Sequence, residues 1–88
     1  MIRARIRVFG EVQGVSFRYA ASKEANHLGL FGFAQNEADG TVLIEVEGKE
    51  SLVHRFIDWC HEGSTRSVVK SVDYTSHEPI GHKGFDIR

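Results

Sequence analysis

The sequence predicts an α/β sandwich in which two helices cover one face of a mostly antiparallel β-sheet. In several short segments, apolar and polar side chains alternate, as they do in half-buried strands. In two longer segments, apolar residues recur every three or four positions, which is the spacing of an amphipathic helix. The chain has 88 residues, of which 41% are hydrophobic and 26% are charged. This length and composition suit one folded unit, so we expect a single domain over residues 1–88.

The chain begins with a predicted strand and a loop. Apolar side chains occupy every second position from Ile2 to Val8, and arginines lie between them. This period of two predicts a strand that ends near Gly10. Residues 11–16 then form a loop, because Gly10 and Gly14 supply backbone dihedral angles that other residues rarely adopt.

A helix is predicted next, over residues 17–28. Ser16 is its expected N-cap, and Gly29 is the residue expected just after its end. Its apolar residues share one helical stripe: Phe17, Ala21, Ala25 and Leu28.

Two strands joined by a tight turn follow this helix. Residues 30–38 form the first strand, although Gly32 weakens its alternation. Asp39-Gly40 predicts a hairpin turn, since these residues tolerate positive φ. Residues 41–47 form the second strand, with one face made of Val42, Ile44 and Val46 and the other of Leu43, Glu45 and Glu47.

A second helix and the last strands complete the chain. The helix ends at Gly63, and its apolar stripe contains Leu52, Val53, Phe56, Ile57 and Cys60. The remaining segments are a strand over residues 68–76, a loop over 78–84 and a short strand over 85–88. On the longer strand, the residues expected on one side are Val68, Val72 and Tyr74.

The order βαββαβ, followed by the short strand, is typical of the ferredoxin-like fold. Each helix has one apolar face, so both helices should cover the same side of the sheet and leave the other side largely open to solvent. This fold hosts many unrelated activities, so the function has to be argued from individual residues.

Composition and charge exclude several classes of protein. Eleven basic and twelve acidic residues give a net charge of −1, so no bulk positive field attracts nucleic acid or anionic lipid. The charged N-terminal segment is unlike a signal peptide, and the longest apolar stretch, residues 28–34, is too short to span a membrane. A single cysteine fits a reducing compartment, so we expect the cytoplasm. We also expect the protein to be a monomer.

The loop between the first strand and the first helix carries the clearest chemical signal. Gly10 precedes this loop, Gly14 lies within it, and Arg18 lies in the first turn of the helix. Backbone N–H groups, the helix N-terminus and the Arg18 guanidinium can together bind a phosphate. No Gly-Lys-Ser/Thr follows, so this is not a Walker loop. On loop chemistry alone, a glycine turn with a surface arginine is the alternative interpretation.

The same loop resembles the signature of the acylphosphatase family, G-x-V-Q-G-V-x-F-R. The matching residues are Val12-Gln13-Gly14-Val15-Ser16-Phe17-Arg18. Residues 29–42 are similar to a second family block, G-L-x-G-[W/Y/F]-V-[R/K]-N-x-x-D-G-T-V, and residues 84–88 resemble the usual family ending. This resemblance covers nearly the whole chain. It implies the ferredoxin-like fold and hydrolysis of small acyl phosphates to a carboxylate and inorganic phosphate.

The resemblance also implies roles for individual residues. Arg18 would bind the phosphate, and Asn36 would position the attacking water. The backbone amides expected to cradle the phosphate are those of Gln13, Gly14, Val15, Ser16 and Phe17. Because the leaving carboxylate has a conjugate acid with a pKa of about 4, the reaction needs little general-acid help. We therefore expect turnover without a metal ion or another cofactor.

Two departures from the family pattern bear on this expectation. Gln35 stands where the family often has Arg or Lys, so a positive charge near the substrate is absent. Residues 63–65, Gly-Ser-Thr, stand where a Gly-Pro turn is common, and we expect this change to affect a loop and not the site.

Other side chains receive structural interpretations. Cys60 is expected in the core, and Arg3, Arg5 and Arg7 on a solvated strand face. The five histidines show no short metal-ligand spacing and are expected at the surface: His27, His54, His61, His77 and His82.

Two further classes of function stay open. An RNA-binding module shares this element order, but the third strand, residues 41–47, lacks the aromatic residues that stack on bases. A non-catalytic anion-binding or regulatory domain, including a carbamoyl-phosphate-handling module of the same fold, would keep the phosphate cradle. The end of the chain at Arg88 favours a free-standing enzyme over such a module.

Overall fold

A computed structural model describes all 88 residues as one five-stranded sheet with two helices. The elements are β1 (Ile2–Glu11), α1 (Phe17–His27), β2 (Phe31–Asn36), β3 (Val42–Gly48), α2 (Glu50–Cys60), β4 (Val68–His77) and β5 (Phe85–Ile87). The strand order is β4-β1-β3-β2-β5, and every neighbouring pair is antiparallel except β2 and β5. The predicted ferredoxin-like fold is confirmed, with β5 added at one edge.

The hydrophobic core lies between the helices and one face of the sheet. Its sixteen buried residues include the large side chains Ile6, Ile44, Phe17, Phe56 and Leu30. Apolar positions of β1 and β3 face this core, as their alternation predicts. Cys60 is also buried here, and burial raises the pKa of its thiol, so the prediction of a core cysteine is confirmed. Neither of the eleven-residue helices is long and apolar enough to cross a membrane.

One prediction for β4 is wrong. Val69 and Val72 pack against the core, whereas Val68 is 51% exposed. The register between β1 and β4 shifts between Phe9 and Gly10, which leaves an extra residue on β4. A bulge of this kind reverses the alternation of side chains beyond it, and a local pattern could not reveal it.

The second face of the sheet is covered over β3, whereas we expected this face to be largely open to solvent. Because β4 and β5 lie at opposite edges of the sheet, the connection between them has to cross one face. Residues 78–84, here called the strap, make this crossing over β3. Glu47 is only 3% exposed, and its carboxylate accepts hydrogen bonds from the backbone N–H groups of Ile80, Gly81 and His82 at 2.8–2.9 Å.

Glu45 is the second buried carboxylate on this face. It pairs with the guanidinium groups of Arg3 and Arg5, and its other oxygen lies 2.9 Å from His82 Nε2. Burial raises the pKa of Glu45, but the hydrogen bonds from His82 and Arg5 and the charges of Arg3 and Arg5 outweigh it, so the pKa is lowered. Two predictions are therefore wrong. Arg3 does not lie on a solvated face, and His82 is not a surface histidine.

Candidate active site

The loop between β1 and α1, residues 12–16, has its backbone amides free. We call it the cradle loop. The N–H groups of residues 13–16 donate to no other group of the chain. The first amides of α1, from Phe17 onward, have no acceptor within the helix, as at every helix N-terminus. Gly14 (φ 74°) and Ser16 (φ 61°) both adopt the left-handed conformation. A run of free amides beside a helix N-terminus can bind an anion.

Ser16 occupies the predicted N-cap position, but its side chain makes no capping hydrogen bond. A left-handed conformation costs a residue other than glycine about 1–2 kcal/mol, and such strain concentrates at functional sites. The left-handed backbone of Ser16 thus shapes the cradle loop, while its carbonyl oxygen accepts the first helical hydrogen bond, from Ala20 N–H at 3.0 Å.

Arg18 and Asn36 line the same pocket, which has a volume of about 380 Å³. They reach it from different elements, the first turn of α1 and the end of β2. The complete lining consists of Val12, Gly14, Ser16, Phe17, Arg18, Tyr19, Asn36 and Ile87. Of the predicted cradle residues, Gly14, Ser16 and Phe17 therefore meet Arg18 and Asn36, while Gln13 and Val15 do not line the pocket.

Arg18 carries the single charged side chain of this pocket. Its Nη1 donates to the main-chain oxygen of Arg88, and its guanidinium makes no ion pair. A guanidinium has five N–H donors, so most of these donors remain free to bind an anion. The pocket consequently combines a guanidinium that no acidic side chain pairs with and a run of free backbone amides.

Asn36 contributes a buried acceptor. Its Oδ1 is the one buried side-chain oxygen or nitrogen of the protein that has no hydrogen-bond partner. Leaving such an atom unpaired costs about 1–3 kcal/mol, so it is retained where something has to donate to it. A water molecule is a suitable donor.

Gln13 and Ser64 hold the cradle loop in place. Gln13 Nε2 donates to the carbonyl oxygens of Glu37 and Thr41, at 2.8 and 3.0 Å, which ties the loop to the hairpin that follows Asn36. Ser64 Oγ donates to the carbonyl oxygen of Val15 at 2.8 Å. The departure at residues 63–65 thus contacts the site after all, contrary to our expectation.

Four pocket features were missed from the sequence. Val12, Tyr19 and Ile87 line the pocket, and the main chain of Arg88 orients Arg18. The family-like ending at residues 84–88 was the available signal for the last two. Gln35, the other departure, is not part of the pocket lining, and its amide donates to Glu37 Oε2 at 2.8 Å.

Together, the fold and the pocket define an α/β sandwich with a pocket whose donors suit an anion. No group of three or more His, Cys, Asp or Glu side chains is placed to hold a metal ion.

Comparison with known proteins identifies the family. The sequence model of the acylphosphatase family matches residues 4–87. An acylphosphatase of a Nocardioides species is 45% identical over 83 residues, which covers 94% of this chain and 84% of the relative. An acylphosphatase of Thermococcus kodakarensis is 41% identical over 86 residues, covering 98% and 94%. This chain belongs to the acylphosphatase family, and the resemblance seen in its motifs is confirmed.

Solved structures agree with this assignment. The crystal structure of acylphosphatase from Bacillus subtilis superposes with a TM-score of 0.97 at 38% identity, covering 100% of this chain and 99% of that one. Full-length HypF in its phosphate- and nucleotide-bound form matches with a TM-score of 0.88 at 34% identity. That match covers 100% of this chain but 12% of HypF, so a domain of this kind also occurs within a larger protein.

Proposed function

We propose that this protein is an acylphosphatase that hydrolyses small acyl phosphates, with Arg18 and the cradle loop binding the phosphate and Asn36 positioning the water. Family membership supplies the reaction class. The observation that carries the assignment of residues is the environment of Arg18, a guanidinium in a pocket without an acidic side chain.

The phosphoryl group binds between the cradle loop and Arg18. Backbone amides from Gln13 to Phe17 donate to its oxygens, with Gly14, Ser16 and Phe17 forming the wall of the pocket. Arg18 donates from the guanidinium N–H groups that are not bonded to the main-chain oxygen of Arg88. Phosphoryl transfer depends mainly on position and on stabilisation of charge at these oxygens, which donors of this kind supply.

Asn36 orients the attacking water. Its free Oδ1 accepts a hydrogen bond from the water, which turns a lone pair of the water oxygen toward phosphorus. A neutral amide cannot take the proton, so the proton passes to a phosphate oxygen. As the new P–O bond forms, the bond between phosphorus and the acyl oxygen breaks, and its electron pair leaves with the carboxylate.

A direct assay tests this function. Acetyl, carbamoyl and benzoyl phosphate are each incubated with the protein after exhaustive chelation, and release of phosphate is followed. We expect hydrolysis of at least one substrate at an unchanged rate after chelation, because the leaving carboxylate needs no metal assistance. Loss of activity that Mg²⁺ or Zn²⁺ restores would contradict the mechanism. Phosphate binding without turnover would instead favour the non-catalytic or carbamoyl-phosphate-handling domain, and a salt-dependent shift with RNA would favour the RNA-binding class.

We also propose that residues 1–88 act as one domain and as a cytoplasmic monomer. One hydrophobic cluster joins both helices to the sheet, which supports a single folding unit. The buried free thiol of Cys60 fits a reducing compartment. Sedimentation equilibrium and cell fractionation test the two remaining expectations.

A further inference from the structure

A second groove adjoins the active-site pocket. It has a volume of about 540 Å³ and lies between α1, the end of α2 and the loop at residues 63–66. Ser16 and Tyr19 line both cavities, so the groove lies next to the phosphate site. Asn36 lines the phosphate site alone. We call this second cavity the acyl groove.

The geometry of the reaction directs the leaving group toward the acyl groove. In an in-line displacement, the attacking and leaving oxygens lie on opposite sides of phosphorus. If Asn36 holds the water, the acyl group points away from Asn36. The acyl groove borders the phosphate site at Ser16 and Tyr19, and Asn36 is not part of its lining.

The wall of the groove is fixed to the cradle loop. Besides the hydrogen bond from Ser64 to Val15, Gly63 packs so closely that a Cβ there would lie 2.6 Å from Phe17 Cε2. The rings of Phe17 and Trp59 also pack, with their centroids 5.5 Å apart. A group held in the groove is therefore held in a defined position relative to the bound phosphate.

The lining of the groove is aromatic and positively charged. Tyr19 and Trp59 supply flat apolar surface, and Lys23 Nζ lies 5.6 Å from the centroid of the Tyr19 ring. Lys23 and Arg66 make no ion pair, and Glu24 is the single carboxylate in the lining. A flat acyl group can stack on the aromatic side chains while a negative charge at its far end reaches the two cations.

We propose that the acyl groove is the binding site for the acyl part of the substrate and that it favours aromatic acyl groups carrying a second negative charge. This inference rests on the proposed function and adds the substrate class to it. Tyr19 and Trp59 contact the ring, and Lys23 and Arg66 contact the distal anion.

A pair of substrates isolates the effect of the distal charge. Benzoyl phosphate and 4-carboxybenzoyl phosphate share the same ring and phosphoryl group and differ by one carboxylate. We expect kcat/KM of the wild-type protein to be about fivefold higher for the carboxylated substrate at low ionic strength, since each exposed ion pair contributes modestly. Salt should reduce this preference by screening.

Substitutions then identify the side chains that contact the distal negative charge of the substrate. Lys23→Gln and Arg66→Gln should each lower the ratio of the two kcat/KM values about twofold, and the double variant should abolish the preference. Lys49→Gln is the matched control, because it removes the same charge at the other end of α2, about 15 Å from Trp59 by helix geometry. The control should keep the wild-type ratio.

The outcomes separate this inference from the proposed function. If acetyl phosphate is hydrolysed but the wild type shows no preference, or if the double variant keeps the wild-type ratio, the acyl groove is not the acyl site and the function stands. If no acyl phosphate is hydrolysed by the wild type, the function and the inference are both overturned.

Discussion

Arg18 and Asn36 reach one pocket from different elements, and the proposed roles separate them in the reaction. In the proposed mechanism, Arg18 contacts the phosphate both before and during the reaction. Arg18→Gln should therefore weaken inhibition by inorganic phosphate and reduce kcat by at least about 100-fold, a loss of roughly 3 kcal/mol. Arg18→Lys should recover little, because a point charge lacks the planar fork of a guanidinium.

Asn36→Ala tests the other half of this contrast. In the proposed mechanism, the Asn36 side chain holds the water and hardly contacts the bound phosphate. The kcat should therefore fall at least as strongly while phosphate inhibition stays within a few-fold of the wild type. Circular dichroism and a melting curve check that both variants are folded. Near-normal turnover of Asn36→Ala, or a loss of phosphate binding as large as in Arg18→Gln, would exclude the water-positioning role.

A substitution at Gly14 tests whether the backbone shape of the cradle loop matters for phosphate binding. Its φ of 74° favours glycine, and a Cβ there would meet no atom within 4 Å, so Gly14→Val introduces strain of about 1–2 kcal/mol and no clash. Gly29, which follows α1 at φ 70° with equally open surroundings, gives the matched variant Gly29→Val. Both variants should lose similar stability, but only Gly14→Val should lose phosphate affinity and turnover. Unchanged phosphate inhibition in Gly14→Val would show that the cradle loop does not bind the phosphate.

At the scale of elements, the strap depends on one carboxylate. Glu47 accepts three backbone hydrogen bonds, and a glutamine there would replace one acceptor oxygen by a donor facing another donor. Glu47→Gln should destabilise the protein by about 1–3 kcal/mol, measured by urea unfolding. Glu78→Gln is the control, because its exposed side chain makes no hydrogen bond. Equal stability of the two variants would mean that the strap is not held by Glu47.

The strap also positions β5, which contributes to the active-site pocket. β5 follows it directly and brings Ile87 to the pocket and the Arg88 main chain to Arg18. Loosening of the strap should thus reduce turnover as well as stability, although no strap residue lines the pocket.

At the scale of the whole molecule, stability should depend on pH through Glu45. Its pKa is lower in the folded protein than its ordinary value of 4.5, so the folded state favours the charged carboxylate. This contribution is fully present above the ordinary value and is lost as the pH falls through the lowered pKa. The melting temperature should therefore decrease below about pH 4.5, and Glu45→Gln should show a smaller decrease over the same range. An identical pH dependence in both proteins would contradict this role of Glu45.

Most of the fold follows from patterns that lie close together in the sequence. Alternation and helical spacing depend on neighbouring residues, so they predict the two helices, the main strands and the residues that face the core. The glycine-containing loop before a helix that carries Arg18 predicts an anion site for the same reason. Assigning Asn36 to that site required the resemblance to the family, since a lone asparagine at the end of a strand has no local signature.

Tertiary structure alone decided the features that join distant segments. Glu45 and Glu47 occupy alternate positions of β3, as residues on the solvent-facing side of a strand do. They are buried because β4 and β5 lie at opposite edges of the sheet, so the strap between them crosses this side. The three backbone partners of Glu47 are 33–35 residues away, so no local pattern could indicate them. The contacts of Arg18 with Arg88, 70 residues away, and of Ser64 with Val15, 49 residues away, arise in the same way. Local spacing determines which elements form, whereas burial and polar pairing depend on how the sheet brings remote segments together.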